Sequence, residues 1–176
     1  MTNLKKTIVL IGLMGCGKSR IGLDLARLSG MPFIDVDREI EKSAGLTVAE
    51  IFDRLGEDAF RSGEKKVMQR LLSERPAILA SGGGAFMNEE TRSLIKNYAV
   101  SVWLKAGIDT LVERTSRNQR RPLLRDGDKK ETLLALMDVR YPVYATADIT
   151  VDTDGLSPLA AAKKIRQLIS EHGAQA

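Results

Sequence analysis

Thr7-Ile8-Val9-Leu10-Ile11-Gly12-Leu13-Met14-Gly15-Cys16-Gly17-Lys18-Ser19 is the stretch on which the fold turns. Thr7–Gly12 is short, apolar and rich in β-branched residues, and it ends in glycine, as a strand buried on both faces does. From Lys18 to Leu28 the period changes, and Ile21, Leu25 and Leu28 recur on one helical face. Between strand and helix, Gly12–Ser19 fits G-x-x-x-x-G-K-[ST] in the context that motif requires. Glycines let the backbone turn with its N–H groups inward, making an anion nest, and the helix N-terminus adds positive potential. The stretch therefore predicts a site for the phosphates of a nucleotide. Lys18 would reach the β- and γ-phosphates, and the Ser19 hydroxyl would ligate Mg²⁺.

Outward from this loop, short apolar runs alternate with helical patterns. Strands are predicted at Phe33–Val36, Ala77–Ala80, Val100–Leu104 and Ile149–Val151. Helices are predicted at Asp37–Ala44, Val48–Leu55, Glu57–Leu72, Thr91–Lys96, Asp109–Arg117, Thr132–Tyr144 and Leu159–Ile169. Thr132–Tyr144 is read with Leu133, Leu136 and Val139 on its buried side, and Trp103 is read as core. Asn118–Lys130 is polar, basic and broken by Pro122 and Gly127, which suits a mobile loop. The alternation implies an α/β fold of three layers, α/β/α, with a short central parallel sheet of about five strands and helices on both faces.

Composition narrows the class. A chain of 176 residues without repeats or linker suggests one domain over residues 1–176. No run approaches the roughly 20 apolar residues that span a bilayer, so no membrane role is expected. Cys16 is the only cysteine, which suits a reducing, cytoplasmic setting. Lys5-Lys6 and Leu13-Met14-Gly15-Cys16 imitate a leader and a lipoprotein cleavage box. Cleavage there would cut through Gly12–Ser19, so the buried strand is the reading retained. Cys16 itself reads either as a small residue that fits the loop or as an oxidation switch. His172 lies in a polar tail, where a frayed, solvated end is expected.

A second set of residues addresses the phosphoryl acceptor. Asp35 and Asp37 end the second strand. If both are extended, they point to one face at the carboxyl edge of the sheet, although such acids also cap helices. Arg61 and Glu64 share a helical face, either as a fork held for a planar anion or as a solvated ion pair. Gly82-Gly83-Gly84 admits close backbone approach to a ligand, or is a plain turn. Arg117, Arg120, Arg121, Arg125, Lys129 and Lys130 form a basic stretch. With no interleaved aromatics for base stacking, a lid over phosphates fits it better than a nucleic-acid surface, so no nucleic-acid partner is expected. Arg140 and Tyr144 lie one helical turn apart.

Taken in order, Gly12–Ser19, Asp35-Val36-Asp37, Phe60-Arg61-x-x-Glu64, Gly82-Gly83-Gly84, Arg121-Pro122-Leu123-Leu124 and Arg140-x-x-x-Tyr144 resemble shikimate kinase, a P-loop family, from Ile8 to about Val151. The phosphate loop is shared by many families; the other five motifs together are specific. The resemblance implies transfer of the ATP γ-phosphoryl group to the 3-hydroxyl of shikimate, with Mg²⁺, in aromatic amino-acid biosynthesis. It implies a monomer with a lid over about residues 114–130 and a substrate-binding helical segment over about 37–64. Gly12, Gly15, Cys16, Gly17, Lys18, Ser19, Arg20, Arg114 and Arg121 would hold the nucleotide, with Ser19 and Asp35 at the metal. Asp37, Arg61, Gly82, Gly83, Gly84, Arg121 and Arg140 would hold shikimate. Lys18, Asp37 and Arg121 would carry the chemistry, with Asp37 the candidate base. Asp152–Pro158 departs from the family, lacking the basic residue that relatives often carry beside adenine. Gluconate kinase or another small-molecule kinase of this fold is the neighbouring alternative. A non-catalytic nucleotide-binding regulator is the alternative of another class.

Overall fold

A computed structural model describes residues 6–116 and 128–175. The chain runs β1 (Thr7–Ile11), α1 (Lys18–Ser29), β2 (Phe33–Asp35), α2 (Val36–Ala44), α3 (Val48–Ser73), β3 (Ile78–Ala80), a 3-10 turn (Ala85–Met87), α4 (Glu89–Tyr98) and β4 (Ala99–Lys105). It continues with α5 (Ile108–Ser116), α6 (Lys129–Tyr144), β5 (Ile149–Asp152) and α7 (Pro158–Gln175). The five strands form one parallel sheet in the order β2-β3-β1-β4-β5.

β1 is the centre of this sheet, and all five of its residues are buried, which is why it reads as an unbroken apolar run. It pairs with β3 through Ile8–Ile78, Val9–Leu79 and Leu10–Ala80, and with β4 on its other side. The chain leaves β1 toward β2 and leaves β3 toward β4. The crevice between the carboxyl ends of β1 and β3 is thus the topological switch point, where ligands bind in open α/β sheets. The loops after these two strands are Gly12–Gly17 and Ser81–Gly84.

Three local readings change. α2 begins at Val36, so Asp35 and Asp37 are not both extended on a strand. The Asp35 side chain caps the helix, accepting from the amide nitrogens of Asp37 (3.1 Å) and Arg38 (3.5 Å). The two helices predicted on either side of Gly56 run as α3, with Gly56 at φ 83° and ψ 172° marking the break. On α6 Val139 is 65% exposed, whereas Leu133 and Tyr144 are buried and Met137 and Tyr141 pack on the core. Leu133 and Leu136 thus face inward as read, and only Val139 is misplaced, with Tyr141 packing inward beyond it. His172 is exposed as read, although α7 continues through it instead of fraying.

Candidate active site

The phosphate loop is shaped by three glycines with positive φ, Gly12 (146°), Gly15 (86°) and Gly17 (99°). Gly17 is the N-cap of α1, so the loop ends where the helix dipole begins. The Lys18 ammonium donates to the carbonyls of Gly12 (2.7 Å) and Leu13 (3.1 Å), which holds it over the loop. Helix α5 braces the outside. A Cβ on Gly15 would stand 2.9 Å from Thr115 Cγ2. Arg114 donates to the carbonyls of Cys16 (3.3 Å) and Thr153 (3.4 Å). Cys16 is 1% exposed, and a Cβ on Gly12 would lie 2.7 Å from its Sγ, so it packs as the small residue the loop admits. Arg20 is exposed on α1 and does not line the cleft described below.

The acceptor side is organised by the glycine triplet. None of the three has positive φ, so the requirement is space. A Cβ on Gly82 would come within 3.2 Å of Asp37 Oδ1 and 3.5 Å of Glu64 Oε1. On Gly83 it would meet Arg140 Nη1 at 2.8 Å and the Tyr144 hydroxyl at 3.1 Å, and on Gly84 the Arg61 guanidinium at 2.3 Å. Each glycine seats the tip of one or two site side chains. Tyr144 fixes the loop in turn by donating its hydroxyl to the Gly83 carbonyl. Gly84→Ala is therefore expected to push Arg61 out of position, raising the KM for the acceptor about tenfold or more while the KM for ATP stays within twofold; steady-state kinetics with each substrate varied tests this.

Arg61 pairs with Glu64 at 2.7 Å, and Glu64 is 2% exposed, so this is no solvated surface pair. Burial raises the Glu64 pKa against the opposing hydrogen bond and charge of Arg61. Asp37 is also raised, first by burial and then by the Asp35 carboxylate, with Lys18 pulling the other way. Asp37 Oδ1 is buried and has no hydrogen-bond partner among the described residues. A buried acceptor left open is costly unless something arrives to donate to it.

Asp37 faces a cleft of about 360 Å³ lined also by Lys18, Ser19, Asp35, Gly82, Gly83 and Arg140, with Met14, Ala80 and Ser81 completing the wall. Arg61 and Gly84 flank it beside Glu64 rather than lining it. Arg114 stands behind the phosphate loop. Arg121, with residues 117–127 of the expected lid, lies outside the described residues. Met14 and Ser81 were not anticipated; they reach the cleft only because the two loops lie side by side, which no local pattern announces. Among the described residues no cluster of three or more His, Cys, Asp or Glu could hold a metal alone. Ser19 and Asp35 in one cleft do fit a magnesium ion carried in on phosphates, which keeps most of its waters and needs one or two protein oxygens.

A phosphate loop after the central strand of a β2-β3-β1-β4-β5 parallel sheet, with an acceptor cleft across the switch point, defines a P-loop kinase, an enzyme that uses ATP. The family model for shikimate kinase matches residues 14–170, and the chain belongs to the shikimate kinase family. Among its relatives, the shikimate kinase of Caulobacter vibrioides (strain NA1000 / CB15N) is 52% identical over 160 residues, covering 91% of this chain and 80% of that one. The shikimate kinase of Mesorhizobium japonicum is 47% identical over 169 residues, covering 96% and 83%. Among solved structures, shikimate kinase from Acinetobacter baumannii in complex with shikimate superposes with a TM-score of 0.89 at 36% identity, covering 94% of this chain and 93% of that one.

Proposed function

We propose that this chain transfers the γ-phosphoryl group of ATP to the 3-hydroxyl of shikimate, giving shikimate 3-phosphate and ADP, as a step of aromatic amino-acid biosynthesis. The observation that carries the reading is the open Asp37 Oδ1. It is a buried acceptor in the cleft that also holds Lys18, and Arg61 and Arg140 stand at the neighbouring glycines. A small anion with hydroxyl groups matches that arrangement: guanidinium groups take its carboxylate, and the open carboxylate oxygen accepts from its hydroxyl. The phosphate loop supports the triphosphate on the other side, so the two reactants meet in line between Lys18 and Asp37.

In this reading Asp37 holds and deprotonates the attacking hydroxyl, and Glu64 keeps the Arg61 fork aimed. Lys18 exchanges its loop carbonyls for phosphate oxygens, and Arg121 enters with a lid over residues 114–130. Ser19 and Asp35 would hold Mg²⁺, which when bound neutralises charge on the phosphates. The reading extends to one kinase domain over residues 1–176, with acceptor binding by the segment 37–64. It also extends to a cytoplasmic monomer without nucleic-acid or membrane partners. Among the described residues no helix is long and apolar enough to cross a membrane.

The test is ADP release with ATP and Mg²⁺, comparing shikimate, gluconate and nucleoside monophosphates as acceptors. Turnover with shikimate alone is expected, and turnover with another acceptor alone overturns the assignment of the second pocket. Arg61→Ala is expected to weaken shikimate binding about 10- to 100-fold, the value of a charge-assisted hydrogen bond of roughly 1.5–3 kcal/mol. Calorimetry with shikimate measures it, and an unchanged dissociation constant removes Arg61 from the carboxylate site.

A further inference from the structure

Tyr141 takes no part in the reaction described above, yet it sits where the two halves of the site are joined. Its hydroxyl donates to the carbonyl of Ala106 at 2.5 Å, and Ala106 is fully buried. Ala106 lies at the corner between β4 and α5, and α5 braces the phosphate loop through Thr115 behind Gly15 and through Arg114 on the Cys16 carbonyl. Tyr141 itself belongs to α6, which also presents Arg140 and Tyr144 to Gly83. The ring packs edge-on against Trp103 of β4, 4.9 Å between centroids, and Trp103 lies 6.0 Å from the Tyr144 ring. Burial pushes the Tyr141 pKa up to about 12, so the hydroxyl remains a donor throughout the working range of pH.

Among the described residues Lys130 of α6 also meets Asp109 of α5 at 3.1 Å, but both side chains are well exposed and the pair is therefore weak. The Tyr141 bond, by contrast, satisfies a buried carbonyl that has no access to water.

We infer that Tyr141 is a positioning residue. By fastening α6 to the β4–α5 corner it registers the acceptor loop, held by Tyr144 and faced by Arg140, against the phosphate loop braced by α5. Displacement of one reactant by an ångström is enough to cost a large part of the rate in a reaction that depends on in-line approach. The inference rests on the kinase reading given above.

Tyr141→Phe keeps the ring and deletes only the donor. The expected result is a kcat lowered and an acceptor KM raised, each about three- to tenfold, with the KM for ATP within twofold. A merely structural role would lower the melting temperature and the active fraction without moving the acceptor KM. Values all within twofold of the unaltered chain overturn the inference while leaving the function in place. A second readout needs neither acceptor nor turnover: ADP alone, added to the unaltered protein, is expected to slow amide exchange in residues 138–144 of α6. Exchange there that does not respond to ADP overturns the inference even if Tyr141→Phe fails to fold. An unaltered protein that turns over no shikimate overturns the function instead, and the ADP measurement then decides the role of Tyr141 by itself.

Discussion

Asp37→Asn is expected to lower kcat about 10²- to 10⁴-fold, the usual contribution of a positioned acid–base group, and at the same time to raise the melting temperature. The substitution preserves shape and one carbonyl oxygen in a position that is half buried, so the fold is under no steric demand. On the function proposed above, it removes the group that takes the proton of the attacking hydroxyl. Burial, together with the nearby Asp35 carboxylate, raises the Asp37 pKa above the ordinary aspartate value of 3.8. Two consequences follow in pH. The acid limb of kcat/KM for shikimate lies above the ordinary aspartate range, because the ionised form is the active one, and in Asp37→Asn that limb vanishes from the residual activity. Between the unfolded and folded pKa values the native state holds the proton while the unfolded chain has released it. Stability associated with Asp37 is therefore full below the unfolded pKa and is lost as pH rises through the folded one. At neutral pH the neutral amide escapes that loss, hence the higher melting temperature. Steady-state kinetics over a pH series, with thermal melts of both proteins, measures all three. A kcat within tenfold of the original would make Asp37 a group that holds the hydroxyl without accepting its proton.

This trade of stability for activity is visible across the acceptor side. Glu64 is buried with its pKa raised, beside Asp37 and opposite Arg61, and the three meet at Gly82, where a Cβ would be tight against the carboxylates, and at Gly84, where it would collide with the guanidinium. A buried cluster of one cation and two carboxylates is poor for stability unless a ligand completes its hydrogen bonds. The open oxygen of Asp37 is the place where it is incomplete.

The same cluster marks how far sequence could go. Gly12–Ser19 was legible because both its chemistry and its setting are local: the strand, the glycine positions and the helix follow one another along the chain. Asp35 and Asp37 were open between two extended acids on one face and helix caps; Asp35 is a cap, and both still line the cleft. They reach it by different routes, one as the N-cap of α2 and the other from its first turn, because the Asp35 side chain takes the orphan amides. Arg61–Glu64 was open between a buried fork and a surface pair, and spacing alone could not tell them apart. Only the packing of α3 against the triplet loop buries Glu64 to 2% exposure. Val139 misled because α6 carries apolar side chains at both Val139 and Tyr141 beyond Leu136, and spacing alone does not say which of them packs inward. The link from Tyr141 to Ala106 spans 35 residues of sequence and was invisible, since tyrosine in a helix carries no signal of what its hydroxyl meets.

Lys18→Met is expected to cost about 10²- to 10³-fold in kcat, as removal of a preorganised donor to developing charge does. Methionine keeps much of the stem length and removes the ammonium, so the loss is electrostatic. In the ligand-free chain that ammonium satisfies the Gly12 and Leu13 carbonyls, and Gly12 O also lies 3.3 Å from where a Cβ on Gly83 would stand. Lys18 thus sits at the seam between the phosphate loop and the acceptor loop, and its loss is felt on both sides. On the nucleotide side, ATP loses a cation at the β- and γ-phosphates. On the acceptor side, Asp37 loses the charge that opposes its raised pKa, so the acid limb of the residual activity moves to still higher pH. Lys18→Arg is not a rescue, because a planar fork does not fit a site built around a point charge held by two carbonyls. A pH series on the residual activity separates the two effects: a lower kcat with an unmoved acid limb would confine Lys18 to the phosphates, whereas a lower kcat with the limb displaced upward makes it the residue that tunes Asp37 as well.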